Sequence, residues 1–201
     1  ENITFFGTGA KYLDHLKKNK INIKNKYKLD NLRMIASTGS PLVHETFDYV
    51  YNKVKKNIHL ASISGGTDIV SCFVLGDPNI PVYSGEIQAK GLGMDVDVFD
   101  KKGTPVKETK GELVCKSPFP SKPIFFWKDK NNKNYFNTYF NKYNNIWHHG
   151  DYAEITKNKG FIIHGRSDAT LNSGGIRIGT SELYRVIENI DQINECLATE
   201  Y

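Results

Sequence analysis

The sequence is short of the residues that staple, chelate or span. It has three cysteines in 201 residues, Cys72, Cys115 and Cys196, widely spaced and with no CxxC. An odd, scattered set builds neither a disulfide framework nor a zinc site, so reduced thiols in a cytoplasmic protein are the expectation. No apolar run approaches the ~18 residues of a membrane-spanning helix, and no apolar segment follows a basic start as in a signal peptide. Arginine is scarce too: four residues, Arg33, Arg166, Arg177 and Arg185, against 23 lysines. Arginine is the better fork for phosphate. The net charge of +5 and the seven lysines between Lys11 and Lys28 therefore read as a solvated surface and not as a nucleic-acid face. A P-loop, a G-x-S-x-G nucleophile elbow, an H-x-x-x-H pair and a dinucleotide G-x-G-x-x-G are all missing. What remains is 39% hydrophobic and 24% charged, the balance of a soluble globular chain.

The hydrophobic period divides the chain. Tyr12, Leu13 and Leu16 among lysines predict a short amphipathic helix at 9–19. A buried strand is expected at 32–36, then a tight loop at Thr38-Gly39-Ser40-Pro41. Phe47, Val50, Tyr51 and Val54 fall on one face of a helix at about 44–56. A strand at 58–63 runs into a Gly-rich loop, Ser64-Gly65-Gly66-Thr67-Asp68. Strand, loop, helix, strand, loop is the order of an α/β layer with a parallel sheet. In such sheets ligands collect at loops beyond the carboxyl ends of the strands.

From about residue 83 the period becomes two. Met94, Val96 and Val98 alternate with Asp95 and Asp97, 111–116 returns, and 152–156 with 161–164 form a second hairpin. This part reads as a small antiparallel sheet or barrel. The Asn- and Lys-rich segment 128–145 carries aromatics at 135, 136, 139, 140 and 143, helical spacing that predicts a packed helix. A last helix is expected at 181–190, with Leu183, Val186, Ile187 and Ile190 as its stripe and Thr180 or Ser181 as its cap.

Taken singly, the polar residues are ambiguous. Thr67 and Asp68 offer a hydroxyl and a carboxylate for a phosphate and a hard cation, or form an ordinary Gly-rich turn. Asp151 and Arg166, at the ends of one hairpin, hold vicinal hydroxyls or simply pair. Arg177 is a phosphate contact or a surface residue. His148 and His149 are adjacent on a strand, point to opposite faces and make a poor chelate.

Together they say more. TGSP at 38–41, SGGTD at 64–68, HGD at 149–151 and GRSDATLNSGGIRIGTSEL at 165–183 occur in this order. The set resembles the adenylate-forming superfamily of acyl-CoA synthetases, luciferases and peptide-synthetase adenylation domains. FGTGAKYL at 6–13, SGGTDI at 64–69 and WHHGD at 147–151 narrow the resemblance to a branch acting on short 3-oxo acids.

The resemblance implies a two-step ligase using ATP, Mg²⁺, a short carboxylic acid and CoA, with these small molecules as partners, no nucleic acid and no membrane span. The acyl-adenylate and pyrophosphate form first, and the CoA thiol then displaces AMP. Gly39, Ser40 and Pro41 would line the adenine, flanked by Ser62 and Ile63; Ser62 stands where short-chain members have an Asp. Thr67 would contact the α-phosphate. Asp68, in place of the usual Glu, would hold Mg²⁺. Asp151 and Arg166 would grip the ribose. Asp168 would be a hinge, and Gly175 and Arg177 would face CoA. Gly65, where acetate-specific members hold a Trp, would open the acyl pocket together with Gly66. The implied fold is α/β. Residues 1–82 would be the latter part of a parallel-sheet subdomain and 83–167 an antiparallel, barrel-like subdomain. Residues 168–201 would hold the hinge and the start of a C-terminal α+β domain. The family's phosphate loop and adenylating lysine are expected outside Glu1–Tyr201, so the piece alone is expected to be inactive. A carrier-loading adenylation domain and a non-catalytic nucleotide-binding module remain the alternatives.

Overall fold

The structure, a computed structural model, describes residues 2–169, 171–173, 176–187, 190, 192–193 and 196–198. Its first layer is a parallel sheet of three strands, β1 (Phe5–Gly9), β2 (Met34–Thr38) and β3 (His59–Ser62), in that spatial order. Phe5 lies opposite Met34, and Met34 opposite His59. Helices α1 (Ala10–Lys18), α2 (Ile23–Lys26) and α3 (His44–Tyr49) connect the strands. Parallel neighbours need such crossovers.

The α3 helix continues through one wider turn, Val50–Val54, so the helical stretch nearly matches the span its periodicity predicts. Phe47, Val50 and Val54 are its buried stripe, packed with Leu13, Ile35 and Leu60. Beyond it, the Lys55 ammonium donates to the carbonyls of Leu29, Asp30 and Leu32 at 2.5, 3.1 and 2.7 Å. One cation thereby satisfies a turn that leads into β2.

The second layer is antiparallel. β7 (Val96–Phe99), β8 (Gly111–Cys115), β9 (Trp147–Ile155) and β10 (Phe161–Arg166) form a sheet in the order β10-β9-β8-β7. A smaller sheet holds β4 (Ser64–Gly66), β5 (Ser71–Leu75) and β6 (Ala89–Lys90). A bridge between Ile87 and Phe161 joins the two, and their inner faces share a core of Phe73, Val96, Leu113, Trp147 and Phe161. The alternation read from sequence is the alternation of inward and outward side chains on these strands.

Several expectations need correction. The SGGTD segment is not wholly a loop, because Ser64–Gly66 is a strand paired with β5. β1 and β5 were not expected at all. Gly7-Thr8-Gly9 looks like a turn locally, yet the parallel partner β2 holds it extended. The helix expected over 128–145 shrinks to α4 (Lys133–Tyr139). Asn131 and Asn132 precede it at φ 58° and 55°, and asparagine tolerates that left-handed region better than most residues. α5 (Thr180–Ile187) starts as predicted, but Val186 and Ile190 are exposed. Its cap is the Glu182 carboxylate, which accepts the Gly179 N–H at 3.0 Å. Among the described residues no helix is long and apolar enough to cross a membrane.

Candidate functional site

Between the two layers lies a cleft of about 1060 Å³. Its floor comes from the carboxyl ends of the parallel strands. β2 ends in Thr38 and turns through Gly39, whose φ of +83° suits glycine and above which there is open space. Ser40 and Pro41 continue that rim. β3 ends in Ser62, and the Ile63 N–H donates to the Ser37 carbonyl at 2.9 Å, holding the two strand ends level. Gly65, Gly66, Thr67 and Asp68 come next along the same wall.

The facing wall is the β9–β10 pair. The register places Asp151 opposite Arg166. The Arg166 guanidinium donates to Asp151 Oδ1 at 3.2 Å and to the His149 carbonyl at 3.0 Å. Ser64, from the other wall, donates its hydroxyl to Asp151 Oδ2 at 3.2 Å. A carboxylate with only 10% of its side chain exposed is thus supported on both oxygens. Gly150, next to Asp151, has φ +82°, a conformation that favours glycine, and a Cβ there would lie 2.5 Å from an Arg166 nitrogen, so a larger residue would require the guanidinium to shift. Arg166 also meets Asp168, whose side chain is 76% exposed, at 3.4 Å.

The structure therefore brings Gly39, Ser40, Pro41, Ser62, Ile63, Gly65, Gly66, Thr67, Asp68, Asp151, Arg166 and Asp168 around one cleft. Gly175 lies outside the described residues, and Arg177 is placed only as backbone of β12 (Ile176–Ile178), which pairs with β11 (Leu171–Ser173). Gly65 needs a different account from the one the sequence suggests. A Cβ at this position would point not into free space but at the backbone of β5, 2.0 Å from the Ser71 carbonyl oxygen. Glycine here permits a close strand approach. It does not merely leave out a ring.

Two residues of the site escaped the sequence. His149 is 8% exposed and sits edge-on to Phe73. Its Nδ1 accepts from the Trp147 indole at 3.5 Å, and its Nε2–H donates to the Gly65 carbonyl at 3.1 Å. Burial pushes its pKa down despite the nearby Asp151 carboxylate, so the ring is neutral. Strand alternation from Asp151 would have found it, since residues 147, 149 and 151 share a face. Tyr139 was read only as a packing aromatic, yet its hydroxyl reaches Asp68. Beneath the wall, Glu112 is a buried hub that binds Lys142, His148 and Ser167. These donors hold its carboxyl well below the usual range against the opposing effect of burial.

Asp68 and Thr67 supply a carboxylate and a hydroxyl, hard oxygen donors on an accessible rim. That donor set fits Mg²⁺, which takes few protein ligands and keeps waters and substrate phosphates.

The arrangement of a parallel sheet, an antiparallel subdomain and a cleft between them recurs in solved CoA ligases. A solved anthranilate CoA ligase, in complex with anthranoyl-AMP, matches 90% of this chain and 33% of its own with a TM-score of 0.73. At 17% identity that likeness concerns the fold alone. An acetoacetyl-CoA synthetase from Streptomyces lividans matches 96% of this chain and 30% of its own, at TM-score 0.88 and 37% identity. In sequence the chain is 52% identical over 197 residues to the acetoacetyl-coenzyme A synthetase of Rhizobium meliloti, covering 98% of this chain and 30% of that one. It is 46% identical over 196 residues to the acetoacetyl-CoA synthetase of Mus musculus, covering 97% and 29%. No protein-family model matches. The chain is similar along nearly its whole length to one segment of the acetoacetyl-CoA synthetases, and it spans about 30% of the length of these relatives.

Proposed function

We propose that this chain is the nucleotide-binding segment of an ATP-dependent acid–CoA ligase whose acid is acetoacetate. The parent enzyme converts ATP and acetoacetate to acetoacetyl-adenylate and pyrophosphate. The CoA thiol then attacks the acyl carbon and releases AMP. One observation supports this above others: the Asp151–Arg166 pair faces the Gly39 turn and Thr67 across a single cleft. A ribose held by that pair would lie between an adenine rim and a phosphate contact.

In this reading Asp151 accepts the ribose hydroxyls, with Arg166 and Ser64 fixing its rotamer. Gly39, Ser40, Pro41, Ser62 and Ile63 flank the adenine, and the Thr67 hydroxyl donates to the α-phosphate. Asp68 holds Mg²⁺, which when bound neutralises phosphate charge. Displacement at phosphorus depends on positioning and charge neutralisation more than on proton transfer, which suits a cleft whose buried histidine is neutral and engaged by the backbone. Gly65 and Gly66 border the acyl end. Asp168 is the pivot for a rotation that brings Gly175 and Arg177 toward CoA. The divisions at 82/83 and 167/168, and a cytoplasmic location, belong to the same reading.

The test is acid-dependent ATP–pyrophosphate exchange by the full-length protein. Exchange should depend on acetoacetate and prefer it to acetate, and Thr67→Ala should depress it. Exchange indifferent to the acid, or faster with acetate, would overturn the assignment.

A further inference from the structure

The aromatic segment that precedes β9 does more than pack. Tyr139, the last residue of α4, reaches the rim of the cleft and donates its hydroxyl to Asp68 Oδ2 at 2.5 Å. Its ring lies flat on Trp147, with centroids 3.6 Å apart and planes inclined by 15°. Trp147 is 2% exposed and belongs to the same strand as Asp151. The helix is pinned at its other end as well. The Asp129 carboxylate accepts the N–H groups of Asn134 and Tyr135 at 3.0 and 2.8 Å, and the Tyr135 hydroxyl donates to the Pro123 carbonyl at 2.7 Å. Helix and ring are thus fixed, and only the O–H rotor is free.

Asp68 is the opposite case. It is exposed, it lies in the turn two residues past the end of β4, and Val70 just beyond it has φ +48°. A carboxylate on such a loop has several rotamers of similar energy. A single donor fixed from a rigid element selects one of them. The contact to Asp68 is a phenol O–H donating to a carboxylate oxygen. Because the donor is uncharged, it leaves the negative charge of Asp68 undiminished. A lysine in its place would cancel that charge.

We propose that Tyr139 is a positioning residue: by donating to one oxygen of Asp68 it turns the other toward the cleft, where a divalent cation binds. This rests on the reading of Asp68 as the cation holder. Carboxylate ligands commonly carry such an outer hydrogen bond, and its loss typically weakens metal binding by roughly 10–100-fold.

The experiment uses the full-length protein with Mn²⁺ as probe and ATP present without acid, so that no turnover contributes. Protein-bound Mn²⁺ is counted by electron paramagnetic resonance. Tyr139→Phe keeps the ring stack and removes only the hydroxyl. It should weaken Mn²⁺ binding about tenfold or more while leaving the melting temperature of the metal-free protein unchanged. Asp68→Asn should weaken binding at least as much, and adding Tyr139→Phe to it should cause no further loss. If Asp68→Asn weakens Mn²⁺ binding and Tyr139→Phe does not, the role of Tyr139 is wrong and the cation reading survives. If Asp68→Asn has no effect, the cation reading fails, and this inference with it. Additive losses in the double variant would mean that Tyr139 acts elsewhere than on Asp68, and would also overturn it.

Discussion

Replacing Gly65 by alanine separates a steric requirement from an empty pocket. The added Cβ would lie 2.0 Å from the Ser71 carbonyl oxygen and 2.7 Å from the Cys72 Cα. Ordinary contacts at a Cβ are 3.4–4 Å, so β4 and β5 must separate by more than an ångström. Both obstacles are backbone, and backbone cannot rotate aside. Overpacking of this kind costs about 1–3 kcal/mol. The same movement stretches the 3.1 Å hydrogen bond from His149 to the Gly65 carbonyl, adding about 0.5–1.5 kcal/mol. Gly65→Ala should therefore destabilise the protein by about 2–4 kcal/mol, a fall in melting temperature on the order of 5–10 °C. Acetoacetate and acetate use should decline together, because the distortion affects the wall before it affects the acid. Gly66→Ala is the control. Its Cβ would meet only the end of a side chain, His149 Cε1 at 2.8 Å, so its cost should be smaller. Thermal and denaturant unfolding of the two variants decide the matter. A Gly65→Ala protein as stable as its parent, with an altered acid preference, would refute the close-packing account and restore the pocket-opening one.

Asp151→Ala should weaken ATP use by about 2–4 kcal/mol, the scale of charge-assisted hydrogen bonds lost, in both half-reactions. An unchanged Michaelis constant for ATP with an unchanged rate would remove Asp151 from the ribose site. Asp168→Pro fixes φ at the proposed pivot; adenylate formation should survive while thioester formation falls by orders of magnitude, and equal loss in both would place the hinge elsewhere. Glu112 has a depressed pKa in the folded protein, so its stabilisation is present above about 4.5 and is lost as pH falls below that value. Glu112→Gln should flatten this acid limb in urea unfolding at a series of pH values. His149 and His164 are buried neutral, so the unfolded chain binds more protons than the folded one below about 6.5, and stability should begin to fall from that pH downward. His149→Gln should lessen the decline, and an identical profile would show that the ring is not buried neutral.

The parts of the fold that were legible are those where a local period equals a burial pattern. Phe47, Val50 and Val54 recur as a helix face because they are one, and Val96 and Val98 alternate because Asp97 between them points outward. β1 and β4 carry no such signal. Both are glycine-bearing segments that are extended because a partner strand is there to pair with them, β2 for one and β5 for the other. Tertiary pairing overrides local preference in such cases. The helix over 128–145 failed for the complementary reason. Tyr135, Tyr139 and Phe140 do pack around Trp147, whereas Phe136 is exposed and Tyr143 joins Phe99 and Val114, and rings can converge on one indole from a short helix and an irregular chain as well as from a long helix. Helical spacing therefore predicts the burial of Tyr135 and Tyr143 and says nothing about the backbone of the residues between them.

The site was legible to a different extent, because its residues come from segments as far apart as Gly39 and Asp168 and no period links them. The expected hairpin brought Asp151 and Arg166 to each other, and the register of β9 on β10 does place them opposite. Motif order could not supply the groups that act on the motifs from behind. His149 lies 3.7 Å from Asp151 through its ring and meets Arg166 through its own carbonyl, and it bears on the Gly-rich wall through the Gly65 carbonyl. Tyr139 lies 71 residues from the aspartate it contacts. Such residues are found by asking what fixes a mobile carboxylate or an exposed carbonyl in place. The exposed turn just beyond β4 cannot orient Asp68 by itself. Some rigid element must orient it, and the stacked phenol at the end of α4 is the group positioned to do so.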